Sequence, residues 1–149
     1  MRTLLSLCAV ILAACLVAQP LGEPWTRADL IQPEQLAARL KNGHAAPPIF
    51  YVGFPVLYRS KHIPGAVLAG PVAQSEEGLR QAVAKLPRNQ EIVIYCGCCP
   101  WDHCPNVRPA FRALKEMGFT RMKLLDIPAN FATDWIAKGY PIEAGVAAK

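Results

Sequence analysis

The run Glu91-Ile92-Val93-Ile94-Tyr95 leads directly into four cysteines within nine positions, Cys96, Cys98, Cys99 and Cys104, and a helical pattern begins near Val107. A short apolar, β-branched run predicts a buried strand. Strand, loop and helix in that order are the repeating unit of an open α/β sheet. Such sheets place ligand and reactive groups at the carboxyl ends of their strands. Cys96 is therefore expected at a strand end, with the N-terminus of the following helix pointing at it. The other two cysteines, Cys8 and Cys15, lie in an apolar N-terminal run, so one loop holds every thiol of the domain that follows.

The rest of the chain repeats this alternation. Gln32-Pro33-Glu34 opens a helix, with Pro in the first turn and an acid at the positive end; Leu36 and Leu40 form its apolar stripe and Gly43 ends it. Ile49-Phe50-Tyr51-Val52 predicts a strand, Tyr58 a brief helical turn, His62-Ile63-Pro64-Gly65-Ala66 a tight turn, and Val67-Leu68 another short strand. Ser75 is an N-cap for a helix carrying Leu79, Val83 and Leu86 on one face and stopped by Pro87. A helix from about Val107 to Met117 turns Phe111 and Leu114 inward and ends at Gly118. Met122 to Leu125 is a strand, and Phe131, Trp135 and Ile136 mark a last helix closed by Gly139. The expectation is an α/β domain: a central, mainly parallel sheet of about five strands flanked by helices on both faces.

At 149 residues the chain is one domain, long enough to bury a core without disulfides. Its net charge of +5 is scattered; no basic run with interleaved aromatics exists, which excludes nucleic acid as the expected partner. Arg2 followed by an uncharged apolar stretch predicts an export signal over residues 1–18. Cleavage after Ala18 is one expectation. The other is a lipobox at Leu12-Ala13-Ala14-Cys15, cut after Ala14 with a lipid on Cys15. The membrane would be met only through this segment or that lipid, and the domain would work in the periplasm or anchored to the envelope, an oxidising compartment. Residues 19–29 read as a linker, 30–143 as the domain and 144–149 as a tail.

Several of these pieces together resemble a single rhodanese domain. They are the helix at Pro33-Glu34-Gln35-Leu36, the strand Phe50 to Gly53, the His62-Ile63-Pro64-Gly65-Ala66 turn, Leu86-Pro87 before Ile92-Val93-Ile94-Tyr95-Cys96, Gly118-Phe119, and Trp135 through Gly139-Tyr140-Pro141-Ile142. The resemblance implies a sulfurtransferase fold in which Cys96 carries sulfur as a persulfide. Three features depart from the family pattern. Tyr51-Val52-Gly53 stands where the family usually has an Asp-x-Arg pair. Gly118 lies 22 positions after Cys96, a longer active-site loop than usual. Gly97 follows Cys96, where thiosulfate-using members often have a basic residue. These bear on the substrate rather than the fold.

Persulfide transfer needs a thiolate, and an unperturbed thiol titrates near about 8.5. Loop N–H groups and the helix N-terminus supply partial charge near Cys96, and Arg108 and Arg112 offer full charge or a solvated helix face. Cys96 and Cys99 have redox-pair spacing, and Cys98 or Cys104 offers a thiol to resolve a Cys96 persulfide. A structural disulfide such as Cys99 to Cys104 is the plain alternative. A metal site of Cys96, Cys99 and Cys104 with Cys98 or His103, holding zinc or copper, is a reading of another class; sulfur transfer itself calls for no cofactor. The Cys-x5-Arg of phosphatases related to this fold is excluded, because Asp102 occupies the arginine position. His103 is the acid–base candidate, His62 a structural turn residue and Trp101 a packing residue. The expected partners are a small sulfur donor and a thiol or cyanide acceptor, and the sequence leaves the oligomeric state open.

Overall fold

The computed structural model describes residues 22–42 and 46–145. The expected export segment with Cys8 and Cys15, the helix end at Gly43 and the last four residues lie outside them.

Five strands form one sheet: β1 (Leu30–Ile31), β2 (Ile49–Tyr51), β3 (Val67–Leu68), β4 (Ile92–Tyr95) and β5 (Met122–Leu125). Their order is β1-β5-β4-β2-β3 and every pair is parallel. The strand leading to Cys96 is therefore the central one, buried on both faces, which is why it reads as an unbroken apolar run.

Alternation along the strands assigns the two faces. Phe50, Ile92, Ile94, Met122 and Leu124 pack under α3 (Glu77–Val83) and α4 (Val107–Glu116). Ile49, Tyr51, Val93, Tyr95 and Leu125 pack against α1 (Pro33–Lys41), Ile63 and the segment from Phe131 to Trp135. Helix α4 buries Val107, Ala110, Phe111, Ala113 and Leu114. At about 1.5–3 kcal/mol for each large apolar side chain, that stripe fixes the helix on β4 and so fixes where its first turn points. Gly118 (φ 86°) supplies the left-handed residue that ends it. A short helix α2 (Pro55–Ser60) contains Tyr58.

Some details differ from expectation. Strand β1 has only two residues, too few for a period to show. Ser75 caps α3 from one position further out, its Oγ accepting the Glu77 N–H at 3.2 Å. The last helix is a single widened π-helical stretch, Ala132–Ile136, which buries Trp135 and lets its indole N–H donate to Pro141 O at 2.8 Å. Within the described part of the expected linker Trp25 alone is buried: it is 7% exposed, edge-on to Phe111 at 5.6 Å and to Trp101 at 5.7 Å. A single aromatic in a polar stretch carries no periodicity, and only the groove beside α4 gives it a place. No helix among the described residues is long and apolar enough to cross a membrane.

Candidate functional site: a cluster of thiols at the central strand end

Cys96 follows β4 with its side chain on the α4 side, 2% exposed. The loop then folds back on itself. Cys98 reaches the surface with its sulfur 3.4 Å from that of Cys96, and the Cys98 and Cys99 sulfurs lie 3.1 Å apart. Cys104, fully buried, closes the group: the sulfurs of Cys96, Cys98 and Cys104 all lie within 4.8 Å of one another. All four residues are free thiols.

The loop is pinned at both ends. Gly97 O accepts the Phe131 N–H at 3.3 Å. The Trp101 indole N–H donates to Asp126 Oδ1 at 2.9 Å, and Asn106 stands at the N-cap position of α4 with its side chain turned elsewhere. Asn106 is fully buried; its Oδ1 accepts the Ala73 N–H at 2.9 Å and its Nδ2 faces Cys96 Sγ at 3.8 Å. The side chain thus ties the loop after β3 to the cysteine cluster.

The helix N-terminus does not serve the sulfur expected of it. The N–H groups of Asn106 and Val107 favour a charge on Cys104, as does the Cys96 thiol, whose sulfur lies within 4.8 Å. These influences, the Cys96 thiol first, outweigh burial and lower Cys104 from 9.0 to about 6. Cys96 moves the other way, pushed up by donating its proton to Cys104 and by burial. The two thiols thus titrate as a pair, with the surroundings favouring the charge on Cys104 over Cys96. Burial, helped by Cys98, raises Cys99 to about 12.

The remaining candidates fall outside this cluster. His103 has a side chain 79% exposed and pairs its Nδ1 with Asp102 at 2.8 Å, away from the sulfurs. The three-thiol group is Cys96, Cys98 and Cys104, all among the ligands expected, with the Cys99 sulfur 3.1 Å from that of Cys98. Arg108 is taken up by Glu23, by the Asp102 carbonyl and by the Trp25 ring at 5.7 Å, so it straps residues 23–25 to the domain. Arg112 is exposed on α4. His62 is buried in its turn, stacked on Tyr58 at 3.9 Å with Nδ1 2.8 Å from Tyr58 O. Cys15 lies outside the described residues.

Three residues at the site were not legible as such. Asn106 had a signal, since an Asn just before an apolar helical pattern is an N-cap type. Tyr51 reads as core, yet its hydroxyl ends at the cluster. Gly53 gives both neighbours their room: a Cβ there would stand 2.7 Å from Cys96 Sγ and 2.8 Å from Tyr51 Oη. Beside them opens a cavity of about 170 Å³ lined by Tyr51, Gly97, Phe131, Leu57 and Lys61, among others.

The sequence matches the family described as "Rhodanese-like domain" over residues 32–127. Among solved structures, the Alr3790 protein from Anabaena sp. is similar at 23% identity and a TM-score of 0.62, over 78% of this chain and 94% of that one. The BH2092 protein from Bacillus halodurans matches at 20% identity and a TM-score of 0.61, over 77% and 76%. A thiosulfate sulfurtransferase from Pseudomonas aeruginosa matches at 27% identity and a TM-score of 0.56, over 78% of this chain but 19% of that one. A search of the curated proteins finds no match.

Proposed function

The chain belongs to the rhodanese-like domain family, and from that premise we propose that it is a sulfurtransferase whose carrier is a persulfide on Cys96. The observation that carries this reading is the group of three adjacent sulfurs at the end of the central strand. Cys104, whose ionisation is lowered first by the Cys96 thiol and then by the amides of α4, is a base with its sulfur within 4.8 Å of that of Cys96. As a donor arrives, the proton passes from Cys96 to Cys104, and the Cys96 thiolate attacks the donor's sulfane sulfur. The donor's S–S bond breaks and its remainder leaves with the electron pair. Discharge to a small thiol or cyanide returns the pair to Cys96, so no external oxidant or reductant is needed.

Cys98 extends the path outward. At 3.4 Å from Cys96 Sγ and at the surface, its thiolate can take the outer sulfur and present it to an acceptor. Lys61 in the adjacent cavity favours an anionic donor. Export, if the N-terminal segment acts as its sequence suggests, limits acceptors to small thiols, cyanide or other exported proteins.

The test is mass spectrometry of the protein after incubation with thiosulfate and with inorganic polysulfide. A gain of one sulfur on Cys96, lost in Cys96→Ser, is expected; an adduct confined to Cys104 would overturn the carrier assignment.

A second reading rests on the three mutually adjacent sulfurs. Three thiolates without a gathered imidazole suit copper(I) better than four-coordinate zinc. A metal there would occupy Cys96, so the two readings compete. Stoichiometric copper in protein purified without chelator, with no sulfur adduct, would favour the metal.

A further inference from the structure

Tyr51 Oη is the one side-chain oxygen or nitrogen among the described residues that is buried without a hydrogen-bond partner. The residue is 2% exposed. Its ring is held edge-on to Tyr95 at 5.1 Å and tilted against Tyr58 at 5.7 Å. Phenylalanine would make the same ring contacts without burying an idle hydroxyl, and an unpartnered buried hydroxyl destabilises a fold. The neighbouring polar group is the Gly97 N–H, which can only donate, so the hydroxyl proton has no acceptor in the resting protein.

Its position says where an acceptor arrives. The point where a Gly53 Cβ would stand lies 2.8 Å from Tyr51 Oη and 2.7 Å from Cys96 Sγ, so hydroxyl and nucleophile flank the same hydrogen of Gly53. Tyr51 also lines the cavity that contains Gly97 and Lys61, the open space beside the cluster. Burial first, and repulsion from the neighbouring cysteines wherever they ionise, raise its ionisation above the ordinary 10.0 against a smaller opposing pull from the Gly97 N–H. The hydroxyl thus keeps its proton and acts as a donor.

We propose that Tyr51 is a catalytic residue whose hydroxyl donates a hydrogen bond to the sulfane sulfur carried on Cys96. This rests on the sulfur-transfer reading above. In loading, the Sγ–S bond forms as the donor's S–S bond breaks, and the donor's remainder departs as a thiolate or sulfite with the bonding pair. The terminal sulfur remains on Cys96 as an anion, and that charge meets the Tyr51 O–H. In discharge the acceptor takes the terminal sulfur and the Sγ–S electron pair returns to Cys96. The tyrosine neither gains nor loses electrons; it stabilises the loaded state, so anionic persulfide is the species it selects.

The experiment compares wild type, Tyr51→Phe and Cys96→Ser, loaded with thiosulfate or inorganic polysulfide. It follows the sulfur adduct on Cys96, its discharge to cyanide, and thermal unfolding of the unloaded proteins. Tyr51→Phe should unfold at the same or a higher temperature than wild type. It should nevertheless load Cys96 roughly 10- to 100-fold more slowly, the loss expected for one hydrogen bond to a charged group. Loading and discharge at wild-type rates in Tyr51→Phe would overturn the role of Tyr51 and leave sulfur transfer standing. A clear fall in unfolding temperature would also count against it, because the hydroxyl would then already have a structural partner. Absence of an adduct in wild type would overturn the sulfur-transfer reading and this proposal with it.

Discussion

Removing the Cys96 thiol should release Cys104 from its low ionisation, and the size of the change follows from the donors around it. Cys104 falls from 9.0 to about 6 against the pull of its own burial. At about 1.4 kcal/mol per pH unit, the site must favour the thiolate by on the order of 4 kcal/mol. A hydrogen bond to an ion contributes roughly 1.5–3 kcal/mol. The Cys96 thiol and the amides of Asn106 and Val107 can together reach that sum after the cost of burial. Losing the first of them should therefore raise Cys104 by about one to two pH units. The assay is a pH titration of thiolate ultraviolet absorbance on fully reduced protein. Wild type should gain one thiolate near pH 6, with Cys99 ionising near 12. Cys96→Ala should move the first step up, whereas Cys96→Ser, which keeps a donor, should move it less. A first step at the ordinary value of about 8.5 in wild type would refute the account. So would an unchanged step in Cys96→Ala, since the largest contribution would then be absent. The same shift links to stability. Because the Cys104 value is depressed in the fold, its contribution is full above the unfolded thiol value and is lost as pH falls through about 6. Cys96, raised in the fold, acts in the opposite sense once pH passes that unfolded value, so the gain with pH should end there and stability should fall as pH rises further.

Gly53→Ala should destabilise the protein by about 1–3 kcal/mol through overpacking and suppress sulfur loading, since the new methyl would meet Cys96 Sγ at 2.7 Å; denaturant unfolding checks it, and unchanged stability would mean that the strand ends shift freely. Trp25→Ala should cost about 3–5 kcal/mol, as for other buried large aromatics. A change within about 0.5 kcal/mol would instead restore residues 22–29 to the status of a linker.

Local patterning determined much of this molecule. The runs at 49–51, 92–95 and 122–125 are strands because each is short, apolar and bounded by turn residues. The stripe of Val107, Phe111 and Leu114 made α4 readable, and the order of these pieces required a layered α/β sheet with Cys96 at a strand's carboxyl end. All of that depends on residues close in sequence, whose periodicity survives in any tertiary context. Which sulfurs meet depends instead on the path of a loop whose ends are held by distant groups, Asp126 on Trp101 and Ala73 on Asn106. That path turns the amides of α4 toward Cys104, brings the Cys98 sulfur beside that of Cys96 and leaves His103 in solvent. Trp25 and β1 carry no period of their own; their places are made by α4 and by the edge of β5. The hydroxyl of Tyr51 and the sulfur of Cys96 can flank one point because Gly53 has no side chain there, and only the folded sheet rim brings them together.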